Sequence, residues 1–194
     1  MFFDQDFKDL PASLRHLTLG PKFNQNIKGC LPPNLTHLTF GERFNQDIKD
    51  CLPPNLTHLT FGAFFDRDIK NSLPITLTHL TFGGGFDQDI QDALPPNLSH
   101  LTLGWRFNQN INGVFPPTLT HLTFDDYCKQ KINSNLPLGL THLTFGKGFN
   151  QNIKKYLPPS LTHLTFKGYY DTKGTWPSHI THLSIGKKCK SIDK

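Results

Sequence analysis

The sequence predicts a β-solenoid, a stack of similar coils that share one parallel sheet on a concave side and contain almost no α-helix. Two observations predict it, a repeated segment and its constant spacing. A segment of the type Leu-Thr-His-Leu-Thr-Phe occurs nine times, beginning at Leu14, Leu35, Leu56, Leu77, Leu98, Leu119, Leu140, Leu161 and Ile180. Successive copies start 21 residues apart, except the last, which follows after 19. A fixed period of this length is typical of stacked repeats, so residues 1–194 are expected to form one repeat domain.

Each copy of the segment has the pattern of a strand with one buried face. Polar and apolar residues alternate along His58-Leu59-Thr60-Phe61, as they do in a half-buried strand. The spacing Leu-x-x-Leu-x-Leu/Phe is also that of leucine-rich repeats, whose strands form a parallel sheet along an arc. We therefore expect about nine strands, with Leu59 and Phe61 pointing into the coil and His58 and Thr60 pointing out.

A turn and then a second repeated unit follow each strand. Gly62 stands directly after the strand, where we expect a turn that needs a positive φ. The unit Phe44-Asn45-Gln46-Asp47-Ile48 comes next in its repeat. Its Phe and Ile are expected to anchor the coil, and the Asn side chains are expected to bond turn backbone and to form a ladder between coils.

The segment Leu52-Pro53-Pro54-Asn55 predicts the wall opposite the sheet. Proline lacks the N–H that a helix interior needs, and it pushes the preceding residue towards extended conformations. Because the next strand starts at once, there is no room for a helix. We expect an extended convex wall with one short 3₁₀ turn after Ile48.

These residues resemble the FNIP repeat family, which is named for a Phe-Asn-x-x-Ile unit such as Phe44, Asn45 and Ile48. The resemblance runs from about Phe3 to Ile185 and implies a leucine-rich-repeat-like fold. The family occurs in social amoebae and in large DNA viruses, the giant viruses among them. Viral members often carry an F-box that recruits ubiquitin-ligase machinery. The first repeat here begins almost at Met1, so we expect a member without an F-box. The Leu-Pro-Pro-x-Leu segment also looks like the short leucine-rich repeats of bacterial effectors.

Composition excludes several classes of protein. The net charge of +5 is spread over many sites, with no longer basic run than Lys187-Lys188-Cys189-Lys190, which does not favour nucleic acid. The start of the chain has neither a secretory signal nor an apolar stretch that could span a membrane. We expect an intracellular, cytoplasmic protein, located in the host cytoplasm if it is viral. Cys30 and Cys51 occupy equivalent positions in neighbouring coils, and we expect reduced, partly buried thiols rather than a disulfide.

One repeat departs from the pattern. In Asp125–Ile132, Cys128 stands where the other repeats have the anchor Phe, and Asp125 stands where they have the turn Gly. Two interpretations remain open, a repeat that has lost its pattern and a specialised site on the rim of the solenoid.

The most conspicuous candidate site is a row of histidines with threonines beside it. The predicted binding residues of the exposed sheet face are His37, His58, His79, His100, His121, His142, His163, Thr39, Thr60 and Thr81. Zinc needs three or four converging ligands, which a straight column does not supply, so no metal site and no cofactor are predicted. The alternative is that the row is a by-product of repeat duplication, which copies a residue that packs acceptably and hydrogen-bonds its Thr neighbours. No nucleophile–base pair stands apart from the repeat, so no enzyme is predicted.

The predicted function is a protein–protein interaction scaffold with a partner of unknown identity, directed at host proteins if the chain is viral. Variable residues on the rims are the expected source of specificity, because Trp, Tyr and Arg contribute strongly to interfaces: Arg43, Phe64, Trp105, Arg106, Tyr127 and Tyr169. The first alternative is a self-assembling structural protein, a homo-oligomer formed through the N-terminal end of the stack, where Phe2 and Phe3 have little covering sequence. A more distant alternative is a histidine surface that binds metal ions or anions.

Overall fold

The computed structural model describes residues 10–128, 130–171 and 175–186. Over these residues it contains nine short strands and one 3₁₀ turn, and no α-helix. The 3₁₀ turn is Lys154–Tyr156. The strands are β1 His16–Thr18, β2 His37–Thr39, β3 His58–Thr60, β4 His79–Thr81, β5 His100–Leu103, β6 His121–Phe124, β7 His142–Phe145, β8 His163–Phe166 and β9 His182–Ile185.

All nine strands lie in one parallel sheet in chain order, β1 to β9. The register places identical positions side by side, so that His58 of β3 pairs with His79 of β4. The shorter last repeat keeps the register, since His163 of β8 pairs with His182 of β9. The solenoid, its single parallel sheet and the near absence of helix confirm the fold that the repeat period predicts.

The core is a set of apolar columns that run the length of the stack. Within one coil, Phe61 at the end of the strand stacks on Phe65 with ring centroids 3.8 Å apart. Between coils, Phe61 stacks on Phe82 at 5.6 Å and Phe65 on Phe86 at 6.2 Å. Each of these side chains is at most 2% exposed. Because the columns are sealed from both sides only when coils stack, each coil depends on its neighbours for burial.

The glycine after each strand is required for a different reason from the one that the sequence suggested. Among described residues, the glycines with positive φ are Gly29 and Gly113, and Gly62 is not one of them. A Cβ on Gly62 would instead collide with the carbonyl oxygen of Gly41 in the previous coil. The prediction of a positive φ at Gly62 was wrong, because the backbones of adjacent turns approach too closely for any side chain.

The convex wall is formed by turns and extended segments. After Ile48 the chain makes a turn in which the Cys51 amide donates to the Ile48 carbonyl, 3.1 Å away. Among the described residues only the seventh repeat, which begins with β7, tightens this turn into a 3₁₀ segment, at Lys154–Tyr156. The extended wall is confirmed, and the 3₁₀ turn follows Ile153, the equivalent of Ile48 in that repeat.

The Asn and Asp residues that follow each anchor Phe form the expected ladder. The Asn45 amide donates to Oδ1 of Asn24, and the Asp66 amide donates to Oδ1 of Asn45, at 2.9 and 3.0 Å. Two residues later a second carboxamide or carboxylate closes a local turn, as Asp47 does by accepting the Lys49 amide at 2.9 Å. These two bonds explain the spacing of the Phe-Asn-x-Asn/Asp-Ile unit.

The irregular sixth repeat is accommodated by a local change of backbone. Asp125 replaces the turn glycine, and its amide bonds the Leu103 carbonyl at 2.9 Å, while Tyr127 takes a positive φ of 64°. Cys128 is buried in the position of the anchor Phe. Cys30 and Cys51 are free and partly buried, as expected, and Cys189 lies outside the described residues.

Candidate functional site

The exposed face of the sheet is built around a continuous column of nine stacked imidazoles. Adjacent rings from His16 to His182 have centroids 4.0–4.2 Å apart and are inclined by no more than 14°. The seven histidines assigned to this face all belong to the column. Thr39, Thr60 and Thr81 lie in the strands two residues further on, in a parallel row on the same face.

A hydroxyl group in the preceding position fixes eight of the nine imidazoles. In eight repeats the Thr or Ser before the His has its Oγ 2.8–2.9 Å from Nδ1, as in Thr57 and His58. The same oxygen lies 3.1 Å from the Thr36 carbonyl of the previous coil. Because a carbonyl can only accept, both contacts are satisfied when Nδ1–H donates to the hydroxyl and the hydroxyl donates to the carbonyl. Nε2 is then left as an acceptor.

The column lowers the affinity of its own members for protons. Burial lowers the pKa of His37, His58, His79, His100 and His121, and charge repulsion from other imidazoles of the column lowers it further. The same causes, in the same order, lower the pKa of His163. These side chains are therefore held neutral at a pH where a free histidine would begin to charge.

The column does not have the geometry of a metal centre. Stacked, nearly parallel rings direct their nitrogen lone pairs alongside one another, whereas a metal ion needs ligands that converge on one point. Within the described part of the chain, no group of three or more His, Cys, Asp or Glu side chains is placed to hold an ion.

The variable residues named from the sequence lie in the turn that follows each strand, which we call the post-strand rim. The rim backbone continues the ladder of the sheet: the Arg43 amide donates to Pro21, Phe64 to Glu42 and Arg106 to Gly84, at 2.9–3.1 Å. Four aromatic side chains are exposed there, namely Phe64 by 57%, Trp105 by 48%, Tyr127 by 64% and Tyr169 by 52%. The rim is thus a rigid edge that displays aromatic groups separated by whole coils.

Three further surface features were not found by sequence reasoning. Ile75 and Leu138 are 71% and 76% exposed on the opposite rim, the turn that precedes each strand. Both replace the second proline of the wall, and this interruption of the proline column was the available signal. Gly84 is the third feature, because the Trp105 indole occupies the space that a side chain there would fill. Nothing in the sequence marks that contact.

The two ends of the stack differ in exposure. Leu17 and Leu19 of the first coil are 5% and 1% exposed, whereas Leu183 in β9 is 40% exposed and its equivalent Leu164 is fully buried. Phe2 and Phe3, on which the predicted N-terminal self-association depends, lie outside the described residues. In the described ranges no helix is long and apolar enough to cross a bilayer.

Comparison with known proteins identifies the repeat. The family model described as FNIP Repeat matches residues 3–43, 23–64, 44–85, 65–106, 86–124, 107–148 and 149–188. No curated protein matches the chain.

Two solved structures are similar to the chain. The crystal structure of CroV588, described as a novel circular LRR protein structure, is 48% identical over 95% of this chain, with a TM-score of 0.83. YopM from Yersinia enterocolitica WA-314 is 21% identical over 91% of this chain, with a TM-score of 0.54, and supports the fold alone. The chain spans 29% of the length of CroV588 and 43% of that of YopM. None of these matches indicates a catalytic family.

Proposed function

The chain belongs to the FNIP repeat family, and from this premise we propose that it is a protein–protein interaction scaffold that uses the post-strand rim and the exposed sheet face. The observation that supports this most directly is the set of four exposed aromatic side chains on a hydrogen-bonded rim. Aromatic groups contribute a large share of interface energy, and a rigid backbone lowers the entropy lost on binding.

The occurrence of the family in large DNA viruses favours a partner from a host cell, and the proposed place of action is the cytoplasm. The proposal assigns the chain no catalytic step, because a row of nine stacked imidazoles, eight of them held by a hydroxyl group, supplies no unique nucleophile or acid–base pair. The sheet face contributes shape and hydrogen-bonding groups, and the rim contributes the side chains that distinguish one partner from another.

Site-specific photo-crosslinking tests this proposal. A benzoylphenylalanine at Phe64 or at Tyr169 should form an adduct with the same protein from a host lysate, and that protein, once purified, should bind the unmodified chain. The matched control is the same group at Lys70, which is exposed on the convex wall. Equal adducts from Lys70 and the rim, or none from the rim, would contradict the proposal.

Self-association is the second candidate, and Leu183 favours it. This side chain is 40% exposed at the β9 edge although its equivalents in the preceding coils are buried, and an unpaired edge is a template for a further strand. A second copy that places its β1 edge, at the N-terminal end of its stack, beside β9 would cover Leu183. Light scattering should then show a mass that rises with concentration and returns to that of a monomer in Leu183→Lys. A monomer at every concentration would exclude this candidate.

A further inference from the structure

Trp105 differs from the other exposed rim aromatics because a glycine in the neighbouring coil makes room for it. The equivalent position in other coils holds Pro21, Glu42, Ala63, Asp126, Lys147 or Gly168, and in the coil before Trp105 it holds Gly84. A Cβ on Gly84 would collide with Nε1 and Cδ1 of the indole. The indole therefore lies directly on the Gly84 backbone, in a space that exists only because that residue has no side chain.

A cation holds the same ring from its own coil. The guanidinium carbon of Arg106 lies 5.0 Å from the centre of the Trp105 ring, within the range of a cation–π contact. With these two contacts the indole is held in place while about half of it stays exposed. A side chain that is ordered before binding loses little entropy when a partner arrives.

The charge around this ring is positive, and no carboxylate in the described part of the chain pairs with its two arginines. In the first five coils the post-strand rim contains Lys22, Arg43 and Arg106 against one acid, Glu42. No described carboxylate lies within ion-pair distance of Arg43 or Arg106. A guanidinium that stacks on an aromatic ring keeps its N–H groups available for a carboxylate in its own plane.

We propose that Phe64, Trp105, Arg43 and Arg106 form a docking site for an acidic peptide segment with an apolar anchor. This deepens the scaffold function and rests on it. The anchor side chain packs between Phe64 and Trp105, above Gly85, and the carboxylates bind the two guanidinium groups. Arg43 and Arg106 are three coils apart, about 14 Å at ~4.8 Å per strand. An extended peptide covers that distance in about four residues at ~3.4 Å each, so the segment carries two acidic residues four positions apart with the anchor between them.

The same groups could in principle stack a base and bind a phosphate. The arrangement of charge favours the peptide, because the two arginines are separated by three coils and Glu42 lies beside one of them. A nucleic-acid strand places a negative charge at every nucleotide and is usually bound by a continuous basic groove.

Fluorescence anisotropy with a defined probe tests the site. The probe is a labelled peptide with blocked ends and the order Gly-Glu-Gly-Trp-Gly-Glu-Gly. One matched peptide has Ala in place of Trp, another has Lys in place of both Glu residues, and a short oligothymidylate is the nucleic-acid probe. The first peptide should bind saturably and at least about tenfold more tightly than the others, the loss expected for one hot-spot contact.

Variants of the full chain locate the binding. Trp105→Ala and Arg106→Gln should each weaken the first peptide about tenfold. Gly84→Ala should also weaken binding of the first peptide. The new methyl group displaces the indole, although every side chain that contacts the peptide is still present. Leu138→Ala, an exposed apolar residue on the opposite rim, is the control and should bind as the unchanged chain does. Because Gly84→Ala alters packing, its urea midpoint is measured and compared with that of Trp105→Ala, a substitution that leaves the core intact.

Three results would overturn the proposal: no saturable binding of the first peptide, equal loss in Leu138→Ala and Trp105→Ala, or tighter binding of the oligothymidylate. The outcome is separable from that of the scaffold function. If rim crosslinking captures a partner that Trp105→Ala still binds, the scaffold function stands and this docking site does not. If the peptide binds as described but the rim captures no partner, the site stands without the scaffold function.

Discussion

Acid should destabilise the fold, because protonation of the histidine column places like charges about one ring spacing apart. Burial and neighbouring imidazoles lower the pKa of His37, His58, His79, His100 and His121 in the folded chain. An unfolded histidine titrates near ~6.5, so the unfolded chain binds more protons than the folded chain around this pH. The stability is therefore fully present above about pH 6.5 and is lost as the pH falls from there through the lower folded pKa.

The ring spacing gives the size of the effect. Two unit charges about 4 Å apart repel by about 1 kcal/mol in the dielectric of water, which is the lower limit for half-exposed rings. The five histidines from His37 to His121 form four adjacent pairs. Full protonation would thus cost roughly 4 kcal/mol, and less in salt, since the screening length is about 8 Å at physiological ionic strength. With a urea m-value of about 2 kcal/mol/M, the midpoint should fall by roughly 1–2 M.

The assay is a series of urea titrations between pH 7.5 and pH 5, at low and high salt. The midpoint should decline with falling pH, less steeply at high salt. His58→Gln with His100→Gln removes four ring–ring contacts, whereas His16→Gln with His182→Gln removes the same number of histidines and two contacts. The first pair should flatten the decline more than the second. A midpoint that is flat or rises, or an equal effect of the two pairs, would refute the reasoning.

Four further predictions concern single residues, with the urea midpoint as the main measurement. Gly62→Ala should destabilise by about 1–3 kcal/mol or more, because its Cβ meets backbone. Gly29→Asn should change the free energy of unfolding by no more than about 0.5 kcal/mol, because Asn71 also has a positive φ at the equivalent position. A larger loss of stability in Gly29→Asn than in Gly62→Ala would show that backbone approach is not the constraint. Asn45→Ala should cost about 1 kcal/mol by leaving the Asp66 amide without its acceptor, and a neutral result would mean that water replaces the ladder. Thr57→Val should cost a similar ~1 kcal/mol and free the His58 ring, and an unchanged NMR line for that ring would contradict the role of the hydroxyl.

Much of the coil could be predicted because the period of 21 residues fixes the register by itself. Once equivalent positions must lie side by side, the alternation around His58 determines which side chains are buried, and the two prolines exclude a helix from the convex wall. The histidine column and the Asn45 ladder follow from the same stacking. For the candidate site, the sequence identified the exposed aromatic rim residues, because each stands at a position that differs from one repeat to the next.

What the sequence determined by itself is therefore everything that repeats: the parallel sheet, its register, the apolar columns and the exposed rows. The tertiary structure alone decided the features that depend on distances between coils. The need for Gly62 comes from the carbonyl of Gly41, one coil away, and the position of the Trp105 indole depends on the absence of a side chain at Gly84. The lowered pKa of His58 and of His79 depends likewise on burial and on rings from other coils. These contacts join residues about one period apart, and their effect depends on atomic separations that residue types and spacing do not specify.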